Sequence, residues 1–274
     1  MNFSICKIIF GSLKLNDFLA VAANLGFDGA EFGYDEAIAC FPDPRTLEQV
    51  LSAKGLRWAA TYWGAPWHLK SQKASLIEEA QKRARYMSEA GCTNLILGPP
   101  PRFDGYEEDK ENYLIQAIDT MTQVAQIMSA YKIKASLHNH YGTIMEGPDE
   151  INYVLQNTAD RLIGFCPDIA HLSVSGIDPL PFVQRYVKRV AHVHLKDAVK
   201  PGEFVPRNEK WDERLRDLGK GDLPLVQIVK LLKDHDYDGW ISYEQDRPQN
   251  GESAMESARA SKSYIDSVIK PSLI

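Results

Sequence analysis

Eight short β-rich runs, each followed by a helical run, constrain this chain more than any other feature. The runs are Phe3–Phe10, Gly29–Phe32, Leu56–Trp63, Asn94–Leu97, Ile133–His140, Ile163–Asp168, Val190–Asp197 and Trp240–Gln245. The helical segments are Leu15–Asn24, Pro44–Lys54, Leu69–Ala90, Glu107–Tyr131, Pro148–Gln156, Pro179–Lys188, Leu223–His235 and Ser253–Val268. Apolar spacing marks the helices, and Gly26, Gly55 and Gly91 close three of them. Pro148, followed by Asp149 and Glu150, suits the first turn of another. Strand–helix alternation at this count predicts an α/β fold, a parallel sheet closed as a single (β/α)8 TIM barrel, with residues 1–274 as one domain. An open doubly wound sheet would want a glycine-rich phosphate loop after its first strand. Gly11-Ser12-Leu13 is not one. No linker, low-complexity stretch or internal repeat divides the chain.

Val190–Asp197 carries the heaviest polar load. Strand side chains alternate, so His192, His194 and Lys196 share one face while Asp197 points away. A core strand has no packing reason to hold two imidazoles and an ammonium on one side, because each would pay desolvation without a partner. A strand ending in a polar pocket accounts for all three. In a barrel, chemistry gathers at the C-terminal strand ends. His68, His138, His140, His171, His192 and His194 all fall at or just after such ends, and only His235 falls within a helix. Glu31, Glu146, Asp168, Glu244, Gln245 and Asp246 join them. Converging carboxylates and imidazoles without thiolate suit one divalent ion, Mn, Co or Mg, with Zn or Fe(II) also admissible. The ligands meet only if the barrel closes. No H-E-x-x-H pattern is present, so a metalloprotease is unsupported.

The bulk numbers narrow the partners. With net charge -6, the chain shows no nucleic-acid footprint. No run of 18 apolar residues indicates a membrane span. The apolar Ile5–Phe10 lacks the flanks of a signal peptide and reads as a strand. Cys6, Cys40, Cys92 and Cys166 are far apart and form no C-x-x-C pair, which points to a reducing, cytoplasmic setting. Cys6, Cys92 and Cys166 read as buried, inert thiols. The connection from Asp197 to Asp222 is long for a βα loop and reads as a lid or substrate-side loop.

Four segments then resemble the xylose-isomerase-like TIM-barrel superfamily: His138-Asn139-His140-Tyr141-Gly142-Thr143-Ile144-Met145-Glu146; Asp168-Ile169-Ala170-His171-Leu172 with Gly176-Ile177-Asp178-Pro179; Val190–Asp197; and Gly239-Trp240-Ile241-Ser242-Tyr243-Glu244. Gly26-Phe27-Asp28-Gly29-Ala30-Glu31 also fits. Each motif is weak alone, and their order at these barrel positions is specific. The pattern is most similar to the inosose dehydratase branch, because epimerases usually end the fifth strand in Glu rather than His. The endonuclease branch is disfavoured: Asn94–Pro101 holds no His, and no Asp-x-His pair follows Asp197.

The resemblance implies a metal-dependent enzyme that abstracts a proton beside a ketone of a small sugar or cyclic keto-polyol. Dehydration is favoured, with ketose isomerisation or 3-epimerisation as the alternative. A catalytically silent sugar-binding barrel, or a subunit of a complex, is the reading from another class. The partner is the small molecule, with no nucleic acid or membrane, and a homo-oligomer is compatible with this. Carried over, the metal ligands are Asp168, His194, Glu244 and a fourth, Glu146 or His138, with Glu146 favoured for oxygen-rich coordination. Glu244 doubles as base, Lys196 bonds or protonates a substrate oxygen, and His171 holds a hydroxyl or shuttles a proton, with Glu146 also beside the chemistry. His138 and His140 line the pocket. Glu31, Trp63, His68 and Trp67 bind the polyol; alternatively Glu31 pairs with Lys or Arg, the tryptophans pack loops and His68 has no role. His192 orients a ligand or simply packs, and Gly219–Asp222 forms a structural turn.

Overall fold

A computed structural model describes residues 1–249 and 251–273. Eight parallel strands form the barrel: β1 (Asn2–Cys6), β2 (Gly29–Glu31), β3 (Arg57–Gly64), β4 (Asn94–Gly98), β5 (Lys134–His138), β6 (Ile163–Cys166), β7 (His192–Leu195) and, after a short hairpin of β8 (Asp197–Ala198) and β9 (Leu215–Arg216), β10 (Trp240–Tyr243). Their spatial order is β6-β5-β4-β3-β2-β1-β10-β7. The last gap closes through parallel bridges between Phe165 and Val190 and between Asp168 and His194. The His194 N–H donates to the Pro167 carbonyl at 3.1 Å, so the closing seam runs through the polar end of β7.

Helices α1 (Leu15–Asn24), α2 (Tyr34–Cys40), α3 (Pro44–Ala53), α4 (Lys73–Glu89), α5 (Lys110–Ala130), α6 (Pro148–Gln156), α7 (Ile169–Val174), α8 (Pro179–Tyr186), α9 (Leu225–Asp234) and α10 (Ala254–Tyr264) lie between and after the strands. Their apolar faces and the outward strand residues make one continuous core. Inside the barrel, Ala60, Ile96 and Cys166 form a separate small floor. Among the described residues no helix is long and apolar enough to cross a membrane.

The departures from the sequence reading cluster at the C-terminal mouth. The first strand stops at Cys6, and Lys7–Phe10 turns as a 3-10 helix across the barrel top. Lys7 fastens that turn by donating to the Gly11 carbonyl at 3.0 Å and pairing with Glu36 at 3.1 Å. Two helices were not anticipated. α2 has Asp35 and Glu36 in its first turn, favourable against the helix dipole. α7 is capped by Asp168, whose Oδ1 accepts the His171 N–H at 2.8 Å. Both are shorter than a clear apolar period.

The long connection after β7 is ordered. β8 and β9 pair antiparallel, Asp197 with Arg216. The Asp197 carboxylate accepts N–H bonds from Ala198 at 2.9 Å, Gly219 at 2.9 Å, Gly221 at 3.0 Å and Leu223 at 3.2 Å. A Cβ at Gly221 would overlap that carboxylate, so the turn expected at Gly219–Asp222 is structural and needs its glycine.

Candidate functional site

Four side chains from four successive segments converge above the floor. His138 closes β5, Asp168 follows β6, His194 lies in β7 and Glu244 follows β10. His138 Nε2 is 3.0 Å from His194 Nδ1, and Asp168 Oδ2 is 3.7 Å and 3.9 Å from these two nitrogens. Glu244 Oε2 is 2.5 Å from His194 Nδ1. All four residues are buried. Asp168 Oδ2 and Glu244 Oε2 nevertheless lack any partner in hydrogen-bonding geometry. Donor atoms crowded this closely, two of them oxygens with no hydrogen bond, fit a shared metal cation. His138, Asp168 and His194 present ligand atoms within 4.8 Å of one another.

Neighbouring groups hold these donors in place. Asn139 grips the Asp168 backbone, accepting its N–H at 2.9 Å and donating to its carbonyl at 3.2 Å. His194 Nε2–H donates to Glu31 Oε1 at 2.9 Å, and His192 Nε2–H to Glu31 Oε2 at 3.0 Å. Glu31 therefore bridges two histidines rather than pairing with Lys or Arg. His192 steadies Glu31, and only through it His194. The fully buried Lys196 ammonium lies 2.9 Å from Asp246 Oδ2, 3.0 Å from Glu244 Oε1, 3.2 Å from Asp168 Oδ2 and 3.4 Å from His171 Nε2.

The charges follow from these contacts. Burial pushes the Asp168 and Glu244 carboxyls up, but Lys196 and His138 around the first, and His194 and Lys196 around the second, outweigh it and hold both below the usual carboxylate range. Glu31 is held low against burial by His194 and His192. Burial lowers Lys196 and His194, yet the carboxylates around each raise them well above their ordinary values. Burial takes His138 down to about 4, with partial opposition from Asp168. Burial, then repulsion between a second positive charge there and those of His140 and Lys196, hold His171 well below its ordinary value, and burial with Lys196 lowers His140 too.

A cavity of ≈ 450 Å³ opens over this cluster. Glu31, His138, His140, His194, Glu244 and Asp246 supply its polar wall. Ile8, Phe32 and Tyr62 give it an apolar side. Cys6, expected as an inert core thiol, also lines it. His140 donates through Nδ1 to the Tyr141 carbonyl at 2.6 Å and stacks on His171 with ring centres 3.7 Å apart. Trp211, from the long connection, stands 4.5 Å from the His171 ring and 5.8 Å from His140. That connection does reach the mouth, as its length suggested.

Four expected site residues lie elsewhere. Glu146, favoured as fourth ligand, turns away: its Oε2 accepts the Gly142 N–H at 3.0 Å and pairs with Arg207. His138 occupies the convergent position instead. Trp67 is wholly buried, with its indole N–H donating to the Gly98 carbonyl at 2.7 Å, and Trp63 packs edge-on against it. His68 stacks on Phe103 at 4.9 Å and meets Tyr113 edge-on. Trp67 and His68 lie past the end of β3, and Trp63, within it, alternates outward from Tyr62, so all three pack away from the cavity. Sequence reasoning passed over Tyr62, although strand alternation from Ala60 would have placed it inward.

Comparison with known proteins agrees with this fold. The pattern of the family described as xylose isomerase-like TIM barrel matches residues 19–264. An inosose dehydratase of Geobacillus kaustophilus (strain HTA426) is 26% identical over 269 residues, covering 92% of this chain and 86% of that protein. Among solved structures, the IolI protein with a bound zinc atom superposes with TM-score 0.81 at 17% identity, covering 99% of both chains. A D-tagatose 3-epimerase-like protein gives TM-score 0.77 at 18% identity, covering all of both. At such identities the structural likeness shows the fold alone. With the family pattern spanning nearly the whole chain, this protein belongs to the xylose isomerase-like TIM barrel family.

Proposed function

We propose that this protein is a divalent-metal-dependent lyase that dehydrates a small cyclic keto-polyol. The observation that carries this reading is the meeting of His138 Nε2, Asp168 Oδ2, His194 Nδ1 and Glu244 Oε2 at the barrel mouth, two of them buried oxygens without a hydrogen-bond partner. Two imidazoles and two carboxylates are richer in nitrogen than the set read from sequence, and that shifts the preference from Mg toward Zn, Fe(II), Co or Mn. A bound ion there supplies Lewis acidity, polarising a ketone and acidifying the adjacent C–H.

The protein's own groups do the remaining work. Glu244, ionised and at the cavity wall, takes the α-proton. Lys196, charged and 3.0 Å from Glu244, stabilises the negative charge that then develops on the substrate oxygen. His171, neutral beside Lys196, would relay a proton from that ammonium to the departing β-hydroxyl, which leaves as water, and Lys196 would regain a proton from Glu244, which took one from the substrate. Trp211 and His140 cover the mouth and limit solvent. His138 at the end of β5 favours the dehydratase reading over the epimerase one, and the name of the Geobacillus relative supports it. A silent binding barrel has no use for this much buried, mutually repelling charge.

The test is metal analysis of the purified protein, followed by incubation with 2-keto-myo-inositol in heavy water. Metal-dependent C–H exchange with growth of an ultraviolet-absorbing dione supports dehydration. Exchange with inversion and no dione supports epimerisation. Neither metal nor exchange removes the enzyme reading.

A further inference from the structure

Tyr62 lines the cavity and has no part in the proposed chemistry. It lies near the C-terminal end of β3, two residues past the floor residue Ala60, and so on the same inward face. Its ring stands edge-on to His138, with centres 5.4 Å apart and planes at 88°. The residue lines both the main cavity and the groove beside it, which Gly64, Pro100, His140 and Thr143 help to form. It is 39% exposed, unlike the neighbouring aromatics Trp58 and Trp63.

Two details set it apart. The hydroxyls of Tyr106 and Tyr141 are bonded to the Ile144 and Val205 carbonyls, whereas the Tyr62 hydroxyl meets no hydrogen-bonding partner among the described residues. The ring also rests against Gly98, where a Cβ would overlap Cζ, Cε1 and Oη of Tyr62. A glycine at the end of β4 is therefore what lets this ring lie flat against the wall instead of blocking the cavity. A neutral donor with an apolar face, next to a candidate metal ligand, matches a polyol ring with hydroxyls at its rim and C–H bonds on its faces.

We infer that Tyr62 is a substrate-binding residue that sets specificity, donating its hydroxyl to a polyol hydroxyl and covering one face of the ring. This rests on the cyclic-polyol reading above and adds its recognition element. The test measures binding rather than turnover, with myo-inositol as probe, because it has no ketone and cannot react. Calorimetry is run on the metal-loaded wild type, Tyr62→Phe, and Gly98→Ala with and without Tyr62→Ala.

Tyr62→Phe keeps the thermal midpoint and metal content, and weakens binding about 3–10-fold, the cost of one neutral hydrogen bond. A deoxy-inositol lacking the bonded hydroxyl binds wild type and Tyr62→Phe alike. Gly98→Ala weakens binding in the wild type by driving the ring into the cavity, and Tyr62→Ala relieves that loss. Unchanged binding in Tyr62→Phe, or an equal Gly98→Ala effect in both backgrounds, overturns the assignment, as does a wild type that does not bind myo-inositol. Binding with no proton exchange from 2-keto-myo-inositol would leave Tyr62 in place and remove the lyase instead.

Discussion

His194 is tied to Glu31 through Nε2, and the tie turns its other nitrogen toward His138, Asp168 and Glu244. The carboxylate fixes the ring angle and keeps a proton on Nε2, so a cation that displaced the Nδ1 proton would find that lone pair aimed at it. Glu31→Gln removes the charge and leaves one oxygen where His192 and His194 each need one. Metal affinity is expected to fall about 10–100-fold with little change in far-ultraviolet circular dichroism. Calorimetric metal titration checks this, and wild-type affinity in the variant would show that His194 needs no such orientation.

His138 and Glu146 give opposite expectations. His138→Ala removes a convergent donor, so metal binding drops more than in Glu31→Gln. Glu146→Gln leaves metal content unchanged, because its carboxylate serves Gly142 and Arg207. It loosens the long connection instead, and limited proteolysis near Arg207 accelerates. Metal loss in Glu146→Gln alone would restore the assignment drawn from sequence.

Lys196 neutralises Asp168, Glu244 and Asp246 together. Lys196→Met fills similar volume but strands buried negative charge, a loss on the order of 3–5 kcal/mol. The thermal midpoint of the metal-free protein falls by roughly 10 °C. Added Zn or Mn recovers part of this, since the cation replaces some of the missing charge. A variant as stable as the wild type without metal refutes this charge balance.

The metal-free protein should weaken as pH falls below about 6.5. His138, His171 and His192 all have folded values below the unfolded one, so their stabilising share is complete above 6.5 and lost as pH drops toward their folded values. For His138, lowered to about 4, the loss reaches about 2 kcal/mol by pH 5. His194 is raised, so its share is already complete below 6.5 and does not change in that window. The lowered Asp168, Glu244 and Glu31 add their losses only at more acid pH. Thermal midpoints between pH 7 and 5 in chelator should fall, and fall less in His171→Gln. A flat profile would mean that these imidazoles titrate normally.

The barrel and most of its polar mouth were legible because both depend on period and position. Strand alternation puts His192, His194 and Lys196 on one face, and strand ends in a barrel meet. Side-chain direction beyond the strand ends was not legible. The sequence favours Glu146 over His138, and only the Gly142 turn and Arg207, far along the chain, show Glu146 engaged elsewhere. The tie from Glu31 to His192 and His194 spans the barrel, and no local pattern reports it. Trp63 and Trp67 stood open between covering a polyol and packing loops, and they pack: the first alternates outward from Tyr62 and the second spends its N–H on Gly98. Chain direction after short strands was also misjudged, since the 3-10 turn at Lys7–Phe10 reads as apolar strand.

Asp197 shows how this architecture accommodates change. Its neighbour Lys196 faces the chemistry, while its own carboxylate clasps the start and finish of the excursion that carries Arg207 and Trp211. Both ends are fastened at one point on the barrel, and between them Arg207 meets Glu146 and Trp211 meets His171. An excursion grafted from a relative that keeps those two contacts is thus expected to change what the mouth admits while the barrel beneath it stays unaltered.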